Sequence, residues 1–233
     1  MDKAYSKIIF EKAKINQAKY IYIKKIDDNK YTYIDKDLNE NKIELNEIIN
    51  IAEEELNYPM FVKPSNSGSS VAVNKAENKK ELINNINIAS DFDTKILIEK
   101  AINAREIECA VMGNSKIGVT VTNPGEILAS GKFYSYDSKY MDQNSKTVIN
   151  AEISSVQKEK IKELAKKAFL AIDGNGLSRV DFFLEHKTGK IYINEINTMP
   201  GFTEISMYPK LFMEYGYKYS EILDRLIEFE MKK

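Results

Sequence analysis

Leu177-Ser178-Arg179-Val180-Asp181-Phe182-Phe183-Leu184, then Lys187-Thr188-Gly189, then Lys190-Ile191-Tyr192-Ile193-Asn194-Glu195-Ile196-Asn197, reads as two apolar, β-branched strands joined by a tight turn. With a three-residue loop at 187–189 and Gly189 in the left-handed position, residues paired across the strands have numbers summing to 376. Asp181 then faces Glu195 and Arg179 faces Asn197. Directly opposed residues point to the same side of a sheet, so four polar groups converge on one face. Two carboxylates opposed in this way repel and call for a cation or a shared proton. Magnesium suits the need, because it takes hard oxygen ligands, one or two of them protein carboxylates, and fills its octahedron with water and phosphate oxygens. Asp181, Glu195 and Asn197 are therefore candidate metal ligands, against the plainer reading of solvated charges on an open sheet face. Thr198-Met199-Pro200-Gly201, next in the chain, forms a loop whose backbone amides can meet an oxyanion.

Outward from the hairpin, 233 residues at 43% hydrophobic content can bury one large core or two smaller ones. Thirty-four Lys and Arg against thirty-five Asp and Glu leave a formal charge of −1. That balance supplies no general attraction to nucleic acid or to acidic membranes, so neither is an expected partner. A lone Cys109 excludes an internal disulfide, and with a single His186 the usual zinc sets are excluded too. Cys109 reads as a small core residue, His186 as a turn residue, and Tyr208, Phe212, Tyr215, Tyr217 and Tyr219 as a packing cluster. With no long apolar run and charges in the first residues, a cytoplasmic location is expected.

Periodicity predicts a helix over 5–17, a strand from Tyr20, a helix over 43–56, and a strand Met60-Phe61-Val62 entering a Ser- and Gly-rich loop at 63–70. Extended character resumes at Val71-Ala72-Val73, followed by a helix over 77–88 and a strand at Lys95-Ile96-Leu97-Ile98. Strands over 106–112 and 116–121 pair about a Gly113-Asn114-Ser115 turn. Residues 135–151 form a long loop, Ser154 or Ser155 caps a helix over 156–172, Gly174 and Gly176 stop it, and a last helix begins at Tyr219. The pattern places an α+β fold in two domains, 1–98 and 99–233.

Lys63-Pro64-Ser65-Asn66-Ser67-Gly68-Ser69-Ser70 lets backbone approach a ligand closely while Lys63 supplies a point charge. It lacks the P-loop pattern, and no dinucleotide-binding glycine pattern exists elsewhere. Glu99, Lys100, Ile102 and Glu106 alternate polar and apolar groups suited to an adenine amino group and ribose hydroxyls. A strand end with exposed charges is the bland alternative.

Taken in order, Met1-Asp2-Lys3, Phe61-Val62-Lys63-Pro64-Ser65 with Gly68-Ser69-Ser70, residues 133–140, residues 194–203 and Ser206-Met207-Tyr208-Pro209 resemble blocks of the D-alanine-D-alanine ligases and their D-serine and D-lactate relatives, of the ATP-grasp superfamily. The resemblance covers nearly all of the chain. It implies an ATP-grasp fold in which two αβ subdomains sandwich ATP as co-substrate, with Lys3, Lys63 and Ser70 near the phosphates and Glu99, Lys100, Ile102 and Glu106 around adenosine. Two magnesium ions, replaceable by Mn2+, would sit on Asp181, Glu195 and Asn197.

The implied reaction, which makes the dipeptide for peptidoglycan precursors, carries γ-phosphate to a D-alanine carboxylate; the amine of a second D-alanine or D-serine then attacks. Arg179 and the Gly201 amide would meet the tetrahedral oxyanion. Ser206 and the Met207 amide would hold the second carboxylate, while Lys139 and Tyr140, on a closing loop, and Ser69, paired with Tyr140, would complete the site. Ala72 departs from the family, which usually has Gly there. On the order of 100 further residues precede the first matched block in the family, so the N-terminal substrate domain is expected to be absent and a homodimer to depend on it. Other readings are a nucleotide-binding fragment without turnover and an ATP-grasp carboxylate-amine ligase of different substrate.

Overall fold

The computed structural model describes residues 2–128 and 146–231. Lys139 and Tyr140 lie outside them. The described chain forms two compact units, the first from residues 2–5 and Ala18–Ile102, the second from Ser6–Gln17 and the described residues after Ile102. Residues 6–17 thus group with the C-terminal part of the chain, and no single cut at 98/99 separates the units.

In the first unit, strands β1 (Tyr20–Asp27), β2 (Lys30–Ile34), β3 (Glu40–Glu44), β4 (Met60–Pro64), β5 (Asn74–Ala76) and β6 (Lys95–Lys100) form a sheet in the order β3-β2-β1-β6-β4-β5, with every neighbour antiparallel. Alternation along β1, β4 and β6 sends Ile21, Ile23, Val62, Ile96 and Ile98 into a core closed by α2 (Leu45–Glu55) and α3 (Lys79–Ser90), through Ile48, Ile49, Leu82 and Ile86. The opposite face carries Tyr22, Leu97, Lys63 and Glu99, because Tyr22 pairs with Leu97, and Leu97 with Lys63. Helix α1 (Lys3–Lys12) starts in this unit, and its Ala4 packs with Tyr22, Ile34 and Leu97.

The helix expected over 43–56 begins at Leu45, since Glu40–Glu44 pairs with β2 as an edge strand. Polar sequence hides that strand: tertiary pairing, not residue preference, decides it. Val71-Ala72-Val73, expected to be extended, forms turns instead. Val71 N donates to Gly68 O at 3.1 Å and Val73 N to Ser70 O at 3.2 Å, and φ is +52° at Ser69, +58° at Ser70 and +56° at Ala72.

The second unit carries β7 (Ala104–Asn114), β8 (Gly118–Val121), β9 (Gly125–Leu128), β10 (Lys146–Val148), β11 (Gly176–Glu185) and β12 (Ile191–Asn197) in the order β10-β9-β7-β11-β12, with β8 also paired to β7. Helix α4 (Ser155–Ala171) covers one face, burying Ile161, Leu164, Ala165, Ala168 and Phe169 against Ile107, Cys109, Val111, Val180, Phe182, Ile193 and Ile196. Ser154 is its cap, in a reciprocal capping box with Gln157. Two shorter helices, α5 (Met207–Glu214) and α6 (Tyr219–Met231), follow β12.

Three expectations change here. The β7–β8 turn lies at 115–117 instead of 113–115, because the Asn114 side chain accepts from the Lys116 and Ile117 amides at 2.9 and 3.0 Å. The long loop expected over 135–151 contains strand β10 where it is described. Helix α5 was not anticipated, since Pro209 masks its periodicity, though Pro fits a first turn, where its missing N–H has no helical partner to lose. Cys109, fully buried, has its thiol pushed up by desolvation and is an inert core group. Phe212 stacks on Tyr217 at 5.9 Å and tilts against Tyr208 at 5.2 Å, making the aromatic residues a packing cluster.

Candidate functional site

The hairpin realises the expected pairing by a different route. Asp181 pairs with Glu195 and Arg179 with Asn197, as the sum of 376 requires, but Phe183 pairs with Tyr192 and Leu184 with Ile191. The loop has four residues, 186–189, with Glu185 N donating to Lys190 O at 2.9 Å and Gly189 at φ +67°. An extra residue in β12, at Asn194, then restores the register. The bulge explains how Ile193 and Ile196, three apart, both reach the core, and it turns Glu195 and Asn197 onto the other face with Arg179 and Asp181.

On that face a third carboxylate joins the row. Glu108 on β7 lies directly opposite Asp181, on the side away from Glu195. Arg179 relieves the repulsion: its Nε donates to Asp181 Oδ1 and its Nη2 to Asp181 Oδ2, each at 2.7 Å, and Nε lies 3.2 Å from Glu108 Oε2. Burial pulls the guanidinium down, but Asp181 and Glu108, and behind them Glu195, hold it well above the ordinary arginine value. Glu108 and Asp181 are each only 8% exposed, so this is a desolvated charge cluster and not a solvated sheet face. Sequence reasoning missed Glu108; its signal is the alternation Glu106, Glu108 against Ile107, Cys109, but the strand it opposes lies some seventy residues away.

Magnesium fits this donor set in part. Among the described residues no three His, Cys, Asp or Glu side chains gather closely enough to cage a metal. Asp181, Glu195 and Asn197 share one face and are oxygen donors of the kind that could form part of a shell completed by water and phosphate oxygens, with both Asp181 oxygens accepting from Arg179 and Asn197 Oδ1 from Met199 N at 3.4 Å.

The loop after β12 is pinned by its own residues. Phe202 packs on Tyr208 and Tyr219, both at 5.6 Å, and Tyr219 Oη donates to Phe202 O at 3.0 Å. Ser206 precedes α5 and accepts from Thr203 N at 3.1 Å, while the Met207 amide begins the helix, where unsatisfied N–H groups favour an anion. Gly201 is drawn close to Ser206: a Cβ at Gly201 would sit 2.8 Å from Ser206 Oγ, so a larger residue there would push the Ser206 hydroxyl aside.

In the first unit, Lys63 forms an ion pair with Glu99, the two residues being 7% and 4% exposed. The loop after Lys63 is tied to the chain start. Lys3 Nζ donates to Ser67 O, Lys3 N donates to Ser65 O at 3.0 Å, and Ser65 Oγ donates to Asp2 Oδ1 at 2.6 Å. Asp2 also accepts from Lys95. Burial pushes its carboxyl up, yet the bonds from Lys95 and Ser65 outweigh that and lower it. Ser69 is exposed and Ser70 half-buried, both in the left-handed turns. Lys100 Nζ donates to Asn57 O and Tyr58 O, each at 3.1 Å, and Ile102 is half-buried. Of the residues expected around adenosine, Glu99, Lys100 and Ile102 belong to the first unit and Glu106, half-buried on β7, to the second.

Ala72 now has a physical meaning. Alanine at φ +56° carries a Cβ clash of about 1 kcal/mol that glycine lacks. Ala72→Gly is expected to raise stability by about 0.5 kcal/mol, after the added freedom of the unfolded chain is subtracted. A lower urea midpoint in the variant would contradict this.

With the geometry in place, comparison with known proteins is specific. The family described as D-ala D-ala ligase C-terminus matches residues 9–228. The whole chain is 48% identical to a D-alanine–D-alanine ligase of Acetivibrio thermocellus, covering 58% of that protein, and 45% identical to one of Chloroherpeton thalassium, covering 60%. Among solved structures it is similar to the VanG D-Ala:D-Ser ligase from Enterococcus faecalis, with TM-score 0.81 and 33% identity over 98% of this chain and 61% of that one. The D-alanine-D-alanine ligase from Coxiella burnetii gives 0.78 and 28% over 98% and 56%. The chain thus spans about three-fifths of the relatives it matches. Among the described residues no helix is long and apolar enough to cross a membrane. On the match over residues 9–228, the chain belongs to the D-Ala-D-Ala ligase C-terminal family.

Proposed function

We propose that this chain is the ATP- and magnesium-binding part of a ligase that joins D-alanine to a second D-amino acid, D-alanine or D-serine, through a D-alanyl phosphate. The observation that carries the reading is the buried Asp181 directly opposite the half-buried Glu195, with Arg179 forked onto Asp181. Asp181, Glu195 and Asn197 would hold two magnesium ions, which bound there would neutralise charge on the phosphates. Lys3, Lys63, Ser69 and Ser70 bind and orient the phosphates, and Glu99, Lys100, Ile102 and Glu106 hold adenosine. Arg179 and the Gly201 N–H donate to the oxyanion formed when the second amine attacks the acyl phosphate; donors already fixed by packing need no reorganisation at that moment. Ser206 and the Met207 N–H fix the attacking substrate's carboxylate. Lys139 and Tyr140 complete the assignment. The whole enzyme is proposed to act in the cytoplasm on small molecules and to pair as a homodimer.

The test is phosphate release from ATP with D-alanine as first substrate and D-alanine, D-serine or D-lactate as second. It is run on this chain alone and on the chain fused to the N-terminal part of the Acetivibrio thermocellus relative. D-alanine-dependent release with a D-alanyl dipeptide product is expected from the fusion and very little from the chain alone. Release with another carboxylate and none with D-alanine would favour a ligase of different substrate.

A further inference from the structure

We propose that Glu108 is a positioning residue that keeps the Arg179 guanidinium in place when Asp181 engages a cation; the inference rests on the metal reading of Asp181 and Glu195 above. Both Asp181 oxygens accept from Arg179 at 2.7 Å, so a cation drawn to Asp181 must share or displace those bonds. A forked pair is what fixes a guanidinium plane. Anchored by Asp181 alone, Arg179 would loosen as the site loads, just when it has to be aimed at the developing oxyanion.

Glu108 supplies an anchor on a different strand. Its Oε2 lies 3.2 Å from Arg179 Nε, it is 8% exposed, and its place opposite Asp181 is set by the β7–β11 ladder, so turning Asp181 does not move it. Charge points the same way. A cation held by Asp181 repels the Arg179 guanidinium, and Glu108 is the carboxylate opposite Asp181 that offsets part of this repulsion. With Glu108 neutral, that offset is lost in a site where screening is weak.

Arg105, Arg179 and Arg225 are the arginines of the sequence, so in a 15N-arginine-labelled chain each Nε–H signal is assigned by one substitution. Hydrogen exchange at Arg179 Nε is then followed with and without Mg2+ and ATP. In the wild type it is expected to stay slow under both conditions. In Glu108→Gln it is expected to stay near wild type without Mg2+ and ATP and to speed up roughly tenfold when they are added, an ordinary coupling between contacting charged groups. Arg105, forked onto Glu126 at 2.7 and 2.6 Å, is the internal control for folding. Should Glu108→Gln not fold, Glu108→Asp, which keeps the charge but withdraws it by one methylene, is expected to show a smaller acceleration in the same direction. Slow exchange in Glu108→Gln with Mg2+ and ATP bound overturns the proposal, as does an acceleration already present without them, which marks a merely structural contact. If Mg2+ and ATP leave both the Arg179 signal and the melting temperature of the wild type unchanged, it is the underlying metal reading that falls.

Discussion

Arg179→Met is expected to lower stability by about 3–5 kcal/mol, the loss typical when one partner of a buried ionic group is removed. Nearly isosteric in its stem, methionine preserves packing and isolates the charge. The reason for so large an effect is the row itself: Glu108, Asp181 and Glu195 lie side by side on three adjacent strands, and Arg179 bonds to Asp181 and lies beside Glu108. Removing it leaves like charges directly opposed with little water to screen them. Magnesium should then stabilise the variant more than the wild type, because a cation takes over part of the guanidinium's task. Urea unfolding with and without Mg2+ measures both effects; a loss under 1 kcal/mol would mean the row is better solvated than its burial indicates.

Lys63→Met is expected to cost a similar amount, about 3–5 kcal/mol, since it removes the cation from a carboxylate that is 4% exposed. The second substitution is what makes the experiment informative. Replacing the pair by Lys63→Met with Glu99→Leu restores an apolar contact, and buried pairs exchanged for apolar residues are often neutral in stability. The double variant should therefore recover most of the loss by urea unfolding while still failing to bind ATP. Recovery of both stability and ATP binding would make Lys63 and Glu99 purely structural.

How much of this was legible in the sequence depends on the range of the interaction. Local features read well: a Ser154 or Ser155 cap at the start of α4, which the structure assigns to Ser154, the spacing of Ile161, Leu164, Ala165, Ala168 and Phe169, and Gly189 in its left-handed turn all follow from residues within one or two turns of each other. The Asp181–Glu195 pairing was read correctly through two errors that cancel, a loop one residue too short and a bulge not foreseen. The break in alternation between Ile193 and Ile196 is the signal that would have exposed both. The opposition of Glu108 to Asp181 and the ion pair of Lys63 with Glu99 depend on strand registers set by the whole sheet, which no local turn chemistry dictates. Helix α5 escaped because eight residues with a proline carry too little periodicity, though the carboxylate-binding role suggested for the Met207 amide by resemblance suits its place at a helix start.

If Asp181 and Glu195 form a magnesium site for a nucleotide, Mg2+ and ATP together raise the melting temperature of the chain. At ligand concentrations about a hundredfold above Kd, binding contributes about 2.7 kcal/mol, which for a chain of this size is a rise of roughly 5–10 °C. Glu195→Gln keeps the shape of the side chain and removes its charge, so most of that rise is expected to disappear in the variant while its melting temperature without ligand changes little. An equal rise in wild type and Glu195→Gln would rule Glu195 out as a metal ligand.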